Sequence, residues 1–429
     1  MRSRSGDDRL AALRALPAVR ALAAESGGTR VWLVGGAVRD ALLGKPAGDL
    51  DAIVERHSGE IASRLAQRLP GRLVSLGGER FAALRLVTRD GDLDLWELGE
   101  APLEADLERR DFTVNAMALD LGDGELRDPF GGRRDLAART LRATRVGVFT
   151  EDPLRVVRLA RFAATLDGFS PDPPTVELAR AAAPELDRVA GERVRGELER
   201  LFGAPYAAGL GRLAEAGAWP RLWRDAESPA APHIGISATA EALDARLPAP
   251  ADDATADRVA SGHALALCLA SGDPEGRGRA LASLAGRSIV SRLEARAIAL
   301  RLERIRQPPP ESAGDLAWWL HGAGTAHRHC AALAAALADE ARRKRWDAVL
   351  AAAPPLLAAR GEEVLDPRPL LDGGEIGRLL GLAPGPRLGA AARRLLEAQV
   401  RGEVRSRGEA EALLARADGD QALPLPTRR

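Results

Sequence analysis

Cysteine is nearly missing from this 429-residue chain, which has only Cys268 and Cys330. Two cysteines cannot build a disulfide framework or a four-cysteine zinc site. Lysine is equally scarce, present at Lys45 and Lys344, so the basic residues are nearly all arginine. Aromatic residues make up 3%, too few for base stacking to be the main binding device. No apolar run reaches spanning length, and none follows the basic start Met1-Arg2-Ser3-Arg4. That pattern excludes a membrane bundle, and the cytoplasm is the expected location. Net charge is also missing, because 61 Lys and Arg balance 61 Asp and Glu. What remains, 46% hydrophobic and 28% charged residues, excludes a wholly disordered chain and a collagen.

The balanced total hides an uneven distribution. From Arg127 to Phe162 there are nine arginines against four acids, and from Arg387 to Arg416 seven against four. Arginine is the better bidentate donor to phosphate oxygens. Short β-type runs occur at Arg30–Val34, Leu50–Val54, Arg72–Leu76, Phe81–Val87, Leu93–Leu98 and Met117–Leu121. Helical spacing at Ala37–Leu43 and Glu60–Leu69 separates some of them. The first 150 residues therefore predict an α/β domain with a mixed sheet. After Glu151 the strand signals fade, and helical runs such as Val176–Ala183 and Glu192–Leu201 predict an all-α remainder. Asp225–Asp257 and the Pro308-Pro309-Pro310 stretch within Gln307–Gly314 are expected linkers and helical subdomain boundaries; the end after Ala417 is expected to be disordered.

Four segments carry chemistry. In Val31-Trp32-Leu33-Val34-Gly35-Gly36-Ala37-Val38-Arg39-Asp40, a strand runs through two glycines into a helix. Glycine allows close backbone approach to a ligand, and Arg39 lies about one turn further on. A Gly-Gly pair alone is equally a tight turn. Asp49-Leu50-Asp51 then opens the run Ala52-Ile53-Val54, where i and i+2 share a face. Paired carboxylates repel unless a cation neutralises them, and oxygen ligands suit Mg²⁺. Asp94 is the candidate third carboxylate on a neighbouring strand, with Asp92 its rival. The third segment, Arg109-Arg110-Asp111-Phe112-Thr113-Val114-Asn115, offers donors and acceptors at Arg110, Asp111 and Asn115 for a ribose and a phosphate. In the fourth, Glu151-Asp152-Pro153-Leu154-Arg155, Asp152 and Arg155 are three apart on a predicted helix and can read a base edge. Arg158 and Arg161 continue its basic face. Asp128-Pro129-Phe130-Gly131-Gly132 is expected to be structural. The His327, His329 and Cys330 cluster lacks a matching ligand pair elsewhere.

Together these motifs, with Gly191-Glu192-Arg193-Val194-Arg195-Gly196-Glu197-Leu198 downstream, resemble the class II tRNA nucleotidyltransferase family of CCA-adding enzymes and bacterial poly(A) polymerases. The resemblance is dense over residues 31–202 and resumes near Leu370–Leu414. It implies a polymerase-β-like head over residues 1–150. A helical neck with a nucleotide-reading helix would span 151–225, a helical body 226–365 and a tRNA-binding tail 366–416, with 417–429 disordered. It further implies that Asp49 and Asp51 bind Mg²⁺ with Asp94 in support, and that Gly35, Gly36 and Arg39 hold the triphosphate. Arg110, Asp111 and Asn115 would hold sugar and phosphate. Asp152 and Arg155 would read CTP or ATP, Glu151 would orient Arg155, and Arg158 and Arg161 would contact the nucleotide. The expected reaction is attack of the tRNA 3′-hydroxyl on the α-phosphate of CTP or ATP, without a histidine base.

One departure from the family bears on specificity. Asp94-Leu95-Trp96-Glu97-Leu98-Gly99-Glu100-Ala101-Pro102 leads at once into Leu103-Glu104-Ala105-Asp106, with no long flexible loop between them. In this family that loop helps the site switch from CTP to ATP, so its absence resembles the CC-adding branch. Complete CCA addition, CC or A addition alone, and poly(A) synthesis all share the same head. A degenerate RNA-binding head is disfavoured because Asp49 and Asp51 are both present, and the long basic helical half argues against a small-molecule acceptor.

Overall fold

The computed structural model describes residues 5–76, 83–89, 91–225, 235–248 and 255–419. The chain divides into two compact units: Met1–Glu197 with Arg212–Leu222, and Leu198–Gly211 with Trp223–Arg429. In the first unit the order is α1 (Gly6–Arg14), α2 (Pro17–Glu25), β1 (Val31–Val34), α3 (Gly36–Leu42), β2 (Leu50–Val54), α4 (Ser58–Arg68), β3 (Gly71–Leu76), β4 (Ala83–Thr88), β5 (Gly91–Glu97) and α5 (Leu103–Glu108). A 3₁₀ turn at Thr113–Asn115 leads to β6 (Ala118–Asp120), β7 (Leu126–Arg127), α6 (Gly132–Ala137), α7 (Val148–Glu151), α8 (Leu154–Thr165) and α9 (Pro173–Ala182). The helices α10 (Gly191–Phe202) and α11 (Tyr206–Glu215) contribute residues to both units, and α12 (Trp219–Leu222) belongs to the first.

One sheet has the order β3-β4-β5-β2-β1-β6-β7. Only β2 and β5 pair in parallel; the other neighbours are antiparallel. Strand β1, Val-Trp-Leu-Val, is buried along its whole length, as its unbroken apolar run requires of a central strand. Trp32, Val34 and Ile53 on one face pack with Leu103 and Leu107 of α5 and with Ala116 and Ala118. This packing brings the ends of β1, β2 and β5 together with the segment after α5. The segment expected to be structural does connect sheet to helices: Asp128 accepts from the N–H groups of Gly132 (2.6 Å) and Arg133 (2.9 Å), closing the entry to α6.

The second unit is helical among its described residues: α13 (Ile236–Asp244), α14 (Thr255–Ala270), α15 (Pro274–Gly286), α16 (Arg292–Arg304), α17 (Ala313–Ala323), α18 (His327–Leu337), α19 (Glu340–Leu365), α20 (Gly373–Leu380), α21 (Pro386–Arg401) and α22 (Arg407–Gly419). No described helix is long and apolar enough to cross a membrane. The expected linker Asp225–Asp257 contains α13, whose Ile236, Ala240 and Leu243 are buried at helical spacing beneath a polar composition. Asp244 at its end accepts from the N–H groups of Tyr206 and Ala207, both at 3.1 Å. The proline run 308–310 lies between α16 and α17 as expected, but the second compact unit continues through it. Helix α22 continues to Gly419, past the Ala417 where periodicity fades; the rest of the expected disordered end, like Phe81 and Ala82 of the expected fourth strand, lies outside the described residues.

Gly132 sets a close approach. A Cβ there would lie 2.4 Å from the Thr113 carbonyl oxygen and 2.7 Å from Met117 Cγ. Gly132→Ala should therefore cost about 1–3 kcal/mol by overpacking. Thermal denaturation of the full chain measures this, and an unchanged melting profile would refute it.

Candidate active site

The glycine corner forms where β1 enters α3. Gly35 has φ +72°, a conformation other residues adopt only with strain. Space reinforces the choice, since a Cβ on Gly35 would lie 2.9 Å from Arg110 Nη1 and 3.2 Å from Asp51 Oδ2. Gly35 thus lets a guanidinium and a carboxylate crowd one point of backbone. Arg39 is buried on α3; its Nε and Nη2 donate to Asp40 (2.8 and 2.9 Å) and its Nη1 to Asn115 Oδ1 (2.7 Å). Three of its five N–H donors are used, leaving two.

Asp51 lies on β2 opposite Val34 of β1 and beside Asp94 of β5. Asp49 is exposed immediately before the strand, and Asp51 is half-buried. Neither carboxylate has a hydrogen bond or ion pair among the described residues. Burial raises the Asp51 carboxyl above its usual range; Arg110 opposes the shift, and Asp94 and Asp49 add to it. Asp94 is engaged differently. Arg85 on β4 sits opposite it in register and grips both its oxygens, at 2.7 and 2.6 Å. The same guanidinium is 3.6 Å from Asp92, the rival candidate. Among the described residues no group of three or more His, Cys, Asp or Glu converges as a metal cage. Two unpartnered carboxylates still fit Mg²⁺, which usually takes one or two protein carboxylates and completes its shell with water and substrate phosphates. His327 and His329 are otherwise occupied: His327 Nδ1 donates to the Gly324 carbonyl (3.0 Å), and buried His329 bonds Ser261 Oγ (2.9 Å).

The Arg-Arg-Asp segment follows α5. Asp106, buried on that helix, lies three and four residues before Arg109 and Arg110 and binds both; Arg110 Nη2 donates to it at 3.0 Å. Arg110 thereby presents its Nη1 edge to Gly35 and Asp51. Asp111 is buried and accepts from its neighbour's N–H at Phe112 (2.8 Å), from Asn115 Nδ2 (2.8 Å) and from Arg158 Nε and Nη2 (2.9 and 2.6 Å). Burial alone would raise its carboxyl, but Arg158, Asn115 and the Phe112 N–H outweigh that and hold it at about 2. Arg158 Nη1 and Arg161 Nε, on α8, also bond Glu197 of α10, at 3.2 and 2.5 Å. Their guanidinium carbons and that of Arg39 gather around the Phe162 ring, 3.9–5.4 Å from its centroid.

The base-reading candidates are close but do not bond each other. Asp152 Oδ2 accepts from Arg193 Nη2 at 2.9 Å. Arg155 Nη1 and Nη2 donate to the carbonyls of Val148 (3.0 Å) and Arg109 (2.6 Å). Glu151, expected to orient Arg155, instead pairs with Arg145. Two backbone carbonyls therefore hold the Arg155 head, although Glu151 lines the same cavity.

Twelve of the thirteen site residues expected from sequence line one cavity of about 670 Å³: Gly35, Gly36, Arg39, Asp49, Asp51, Arg110, Asp111, Asn115, Asp152, Arg155, Arg158 and Arg161. Asp94 does not line it. Residues that sequence reasoning missed are Asp106, Phe162 and Arg193 on the cavity wall, and Arg85 behind it. Asp106 had a readable signal in its i+3 and i+4 arginines on a short helix. Arg193 and Arg85 meet their partners only through tertiary packing, and Phe162 meets Arg39 that way although Arg158 and Arg161 share its helix. Asp111→Ala would leave Arg158 without its main buried counter-charge, at a cost of about 3–5 kcal/mol in chemical denaturation near neutral pH. Because folding lowers the Asp111 pKa, its contribution is complete above the unfolded value near 4 and is lost as pH falls through about 2. The gap between wild type and variant should therefore be constant from pH 8 to 5 and shrink only below about 4; a gap that closes at higher pH would contradict the assignment.

Residues 31–142 match the family described as Poly A polymerase head domain, and residues 168–227 the family described as probable RNA and SrmB- binding site of polymerase A. The chain is 34% identical over 430 residues to the CC-adding tRNA nucleotidyltransferase of Geobacter sulfurreducens, covering 96% of this chain and 97% of that one. It is 43% identical over 208 residues to the multifunctional CCA protein of Xanthomonas campestris, covering 44% and 49%. Among solved structures, the Thermotoga maritima CCA-adding enzyme complexed with tRNA superposes with TM-score 0.68 at 23% identity, covering 96% and 98%. A CCA-adding enzyme in complex with ATP superposes with TM-score 0.70 at 25% identity, covering 98% and 99%. An α/β head with this glycine corner and these carboxylates, a helical remainder and full-length similarity agree: the chain belongs to the class II tRNA nucleotidyltransferase and poly(A) polymerase family and is a nucleotidyltransferase of the CCA tRNA nucleotidyltransferase family.

Proposed function

We propose that the protein adds CMP residues to the 3′ end of tRNA in the cytoplasm and stops at CC. The observation that carries this reading is the connection between β5 and α5, only residues 98–102 long. It leaves no room for the long segment that helps relatives change from CTP to ATP. Full-length similarity to a CC-adding relative supports the same choice. Complete CCA addition is the second reading, favoured by the likeness to a CCA-adding enzyme in complex with ATP.

In this reading residues 1–150 are the catalytic head, 151–225 the neck, 226–365 the body and 366–416 the tRNA-binding tail. Asp49 and Asp51 would hold Mg²⁺, which when bound would supply positive charge to stabilise an in-line displacement at phosphorus. Asp94, gripped by Arg85, supports Asp51 through its charge and fixed position rather than from the cavity wall. Gly35 and Gly36 let the triphosphate approach the backbone, and the two unused donors of Arg39 face its oxygens. Arg110 bridges the carboxylates and the phosphates. Asp111 and Asn115 set the ribose pocket and keep Arg158 and Arg161 in place beside the nucleotide. Asp152 accepts from the exocyclic amino group of cytosine, and Arg155, its head fixed by two carbonyls, donates to the ring nitrogen. Fixed donors of this kind act without reorganising during the reaction.

Asp49→Ala and Asp51→Ala should each reduce CMP incorporation by about 10²–10³-fold or more while tRNA binding in a filter assay stays near wild type. Retention of most activity in Mg²⁺ by either variant would remove the metal assignment. Labelled tRNAs ending in the discriminator base, in C and in CC, incubated with CTP, ATP or both, test the product. Extension that halts at CC with ATP unused is expected; a terminal A on the CC substrate would replace this reading with complete CCA addition. Arg155→Ala should relax the CTP, ATP and UTP preference more than it slows incorporation, and an unchanged preference would oppose its base-reading role.

A further inference from the structure

Helix α10 carries Arg193 and Glu197 four residues apart, on one face. Glu197 accepts from Arg158 and Arg161 of α8, while Arg193 donates to Asp152 just before α8. The nucleotide-reading segment thus meets opposite charge at two points of a single helix. The two contacts differ in kind. Glu197 is buried, whereas the Arg193 side chain is 55% exposed, and an exposed ion pair adds little to stability. What Arg193 changes is where the Asp152 carboxylate sits. Asp152 has extended backbone after α7 (φ −138°, ψ 91°), three residues ahead of Arg155. Among the described residues, Arg193 is the group that bonds its side chain. Without that bond the carboxylate is free to collapse onto the neighbouring Arg155 guanidinium, pairing the acceptor and donors with each other.

We propose that Arg193 is a specificity-determining positioning residue. By holding Asp152 Oδ2 it keeps Asp152 and Arg155 apart and leaves Oδ1 as a free acceptor beside the Arg155 donors. Cytosine and adenine present an amino donor next to a ring-nitrogen acceptor, which complements that arrangement. Uracil and guanine present a carbonyl acceptor next to an N–H, which places acceptor against acceptor and donor against donor. Arg193 therefore sets the discrimination of amino-bearing bases from carbonyl-bearing ones. This inference rests on the base-reading role proposed above for Asp152 and Arg155.

The test compares Arg193→Ala, Arg193→Lys and Asp152→Ala in the full chain, with kcat and KM measured for CTP and UTP on tRNA ending in its discriminator base. Arg193→Ala should lower the CTP-to-UTP ratio of kcat/KM by about tenfold, chiefly through KM, with thermal stability unchanged. Arg193→Lys should restore part of the ratio, since it returns a donor and a charge. A purely structural role for Arg193 would move melting temperature and kcat and leave the ratio alone. If Asp152→Ala lowers the ratio and Arg193→Ala does not, the positioning role is overturned while base reading by Asp152 stands. If Asp152→Ala itself leaves the ratio unchanged, base reading fails and the inference falls with it.

Discussion

A carboxylate buried away from water has to be paired, and the catalytic unit is organised around one that is. Asp111 takes four hydrogen bonds from three residues: the adjoining Phe112 N–H, Asn115 in the 3₁₀ turn, and the Nε–Nη2 edge of the Arg158 guanidinium on α8. Through Asn115 it reaches Arg39 beside the glycine corner, and through Arg158 it reaches Glu197 on α10. Each of these groups is held by a partner that is itself held. A network of this kind in a low-dielectric interior is rigid when complete and costly when any member is missing. The spacing between the glycine corner and helix α10 follows from that chain of bonds.

Charge is unevenly distributed among the residues of the cavity. The unpartnered carboxylates Asp49 and Asp51 stand at one end, where Arg110 leans in from its anchor on Asp106. Arg39, Arg158 and Arg161 cluster about Phe162, a small apolar surface that supports three cations without neutralising them. Burial lowers the Arg155 and Arg161 pKa values from the ordinary guanidinium range. Anions are attracted to the arginines of such a site, while Asp49, exposed, and Asp51, half-buried, place two negative charges beside them.

Arg85 shows how one cross-strand partner can engage a carboxylate. Asp94 is in register with Asp51, but the cross-strand arginine grips both its oxygens. Its influence on Asp51 is through charge across the strand pair, not through the cavity. The short link from β5 to α5 acts on the same region from the other side, since it brings Asp106 and its two arginines directly after the sheet.

Much of this was legible in the residues alone. The strand runs, the glycine corner, the Asp49 and Asp51 pair and the arginine-rich helix depend on spacing within a few residues, and periodicity and chirality impose their local geometry wherever they occur. So the mixed head, the helical remainder and twelve of the cavity-lining residues follow from sequence. Helix α13 was hidden because its three buried apolar residues are diluted in a polar stretch, and a composition average cannot see a face. Partnership was the other thing sequence could not supply. That Asp94 belongs to Arg85, Asp152 to Arg193 and Glu151 to Arg145 was decided by strand register and helix packing, which bring together groups from 6 to 41 residues apart. A side chain's type limits what it can bond; which of several equivalent arginines reaches it is a matter of distance, and distance is a property of the folded chain.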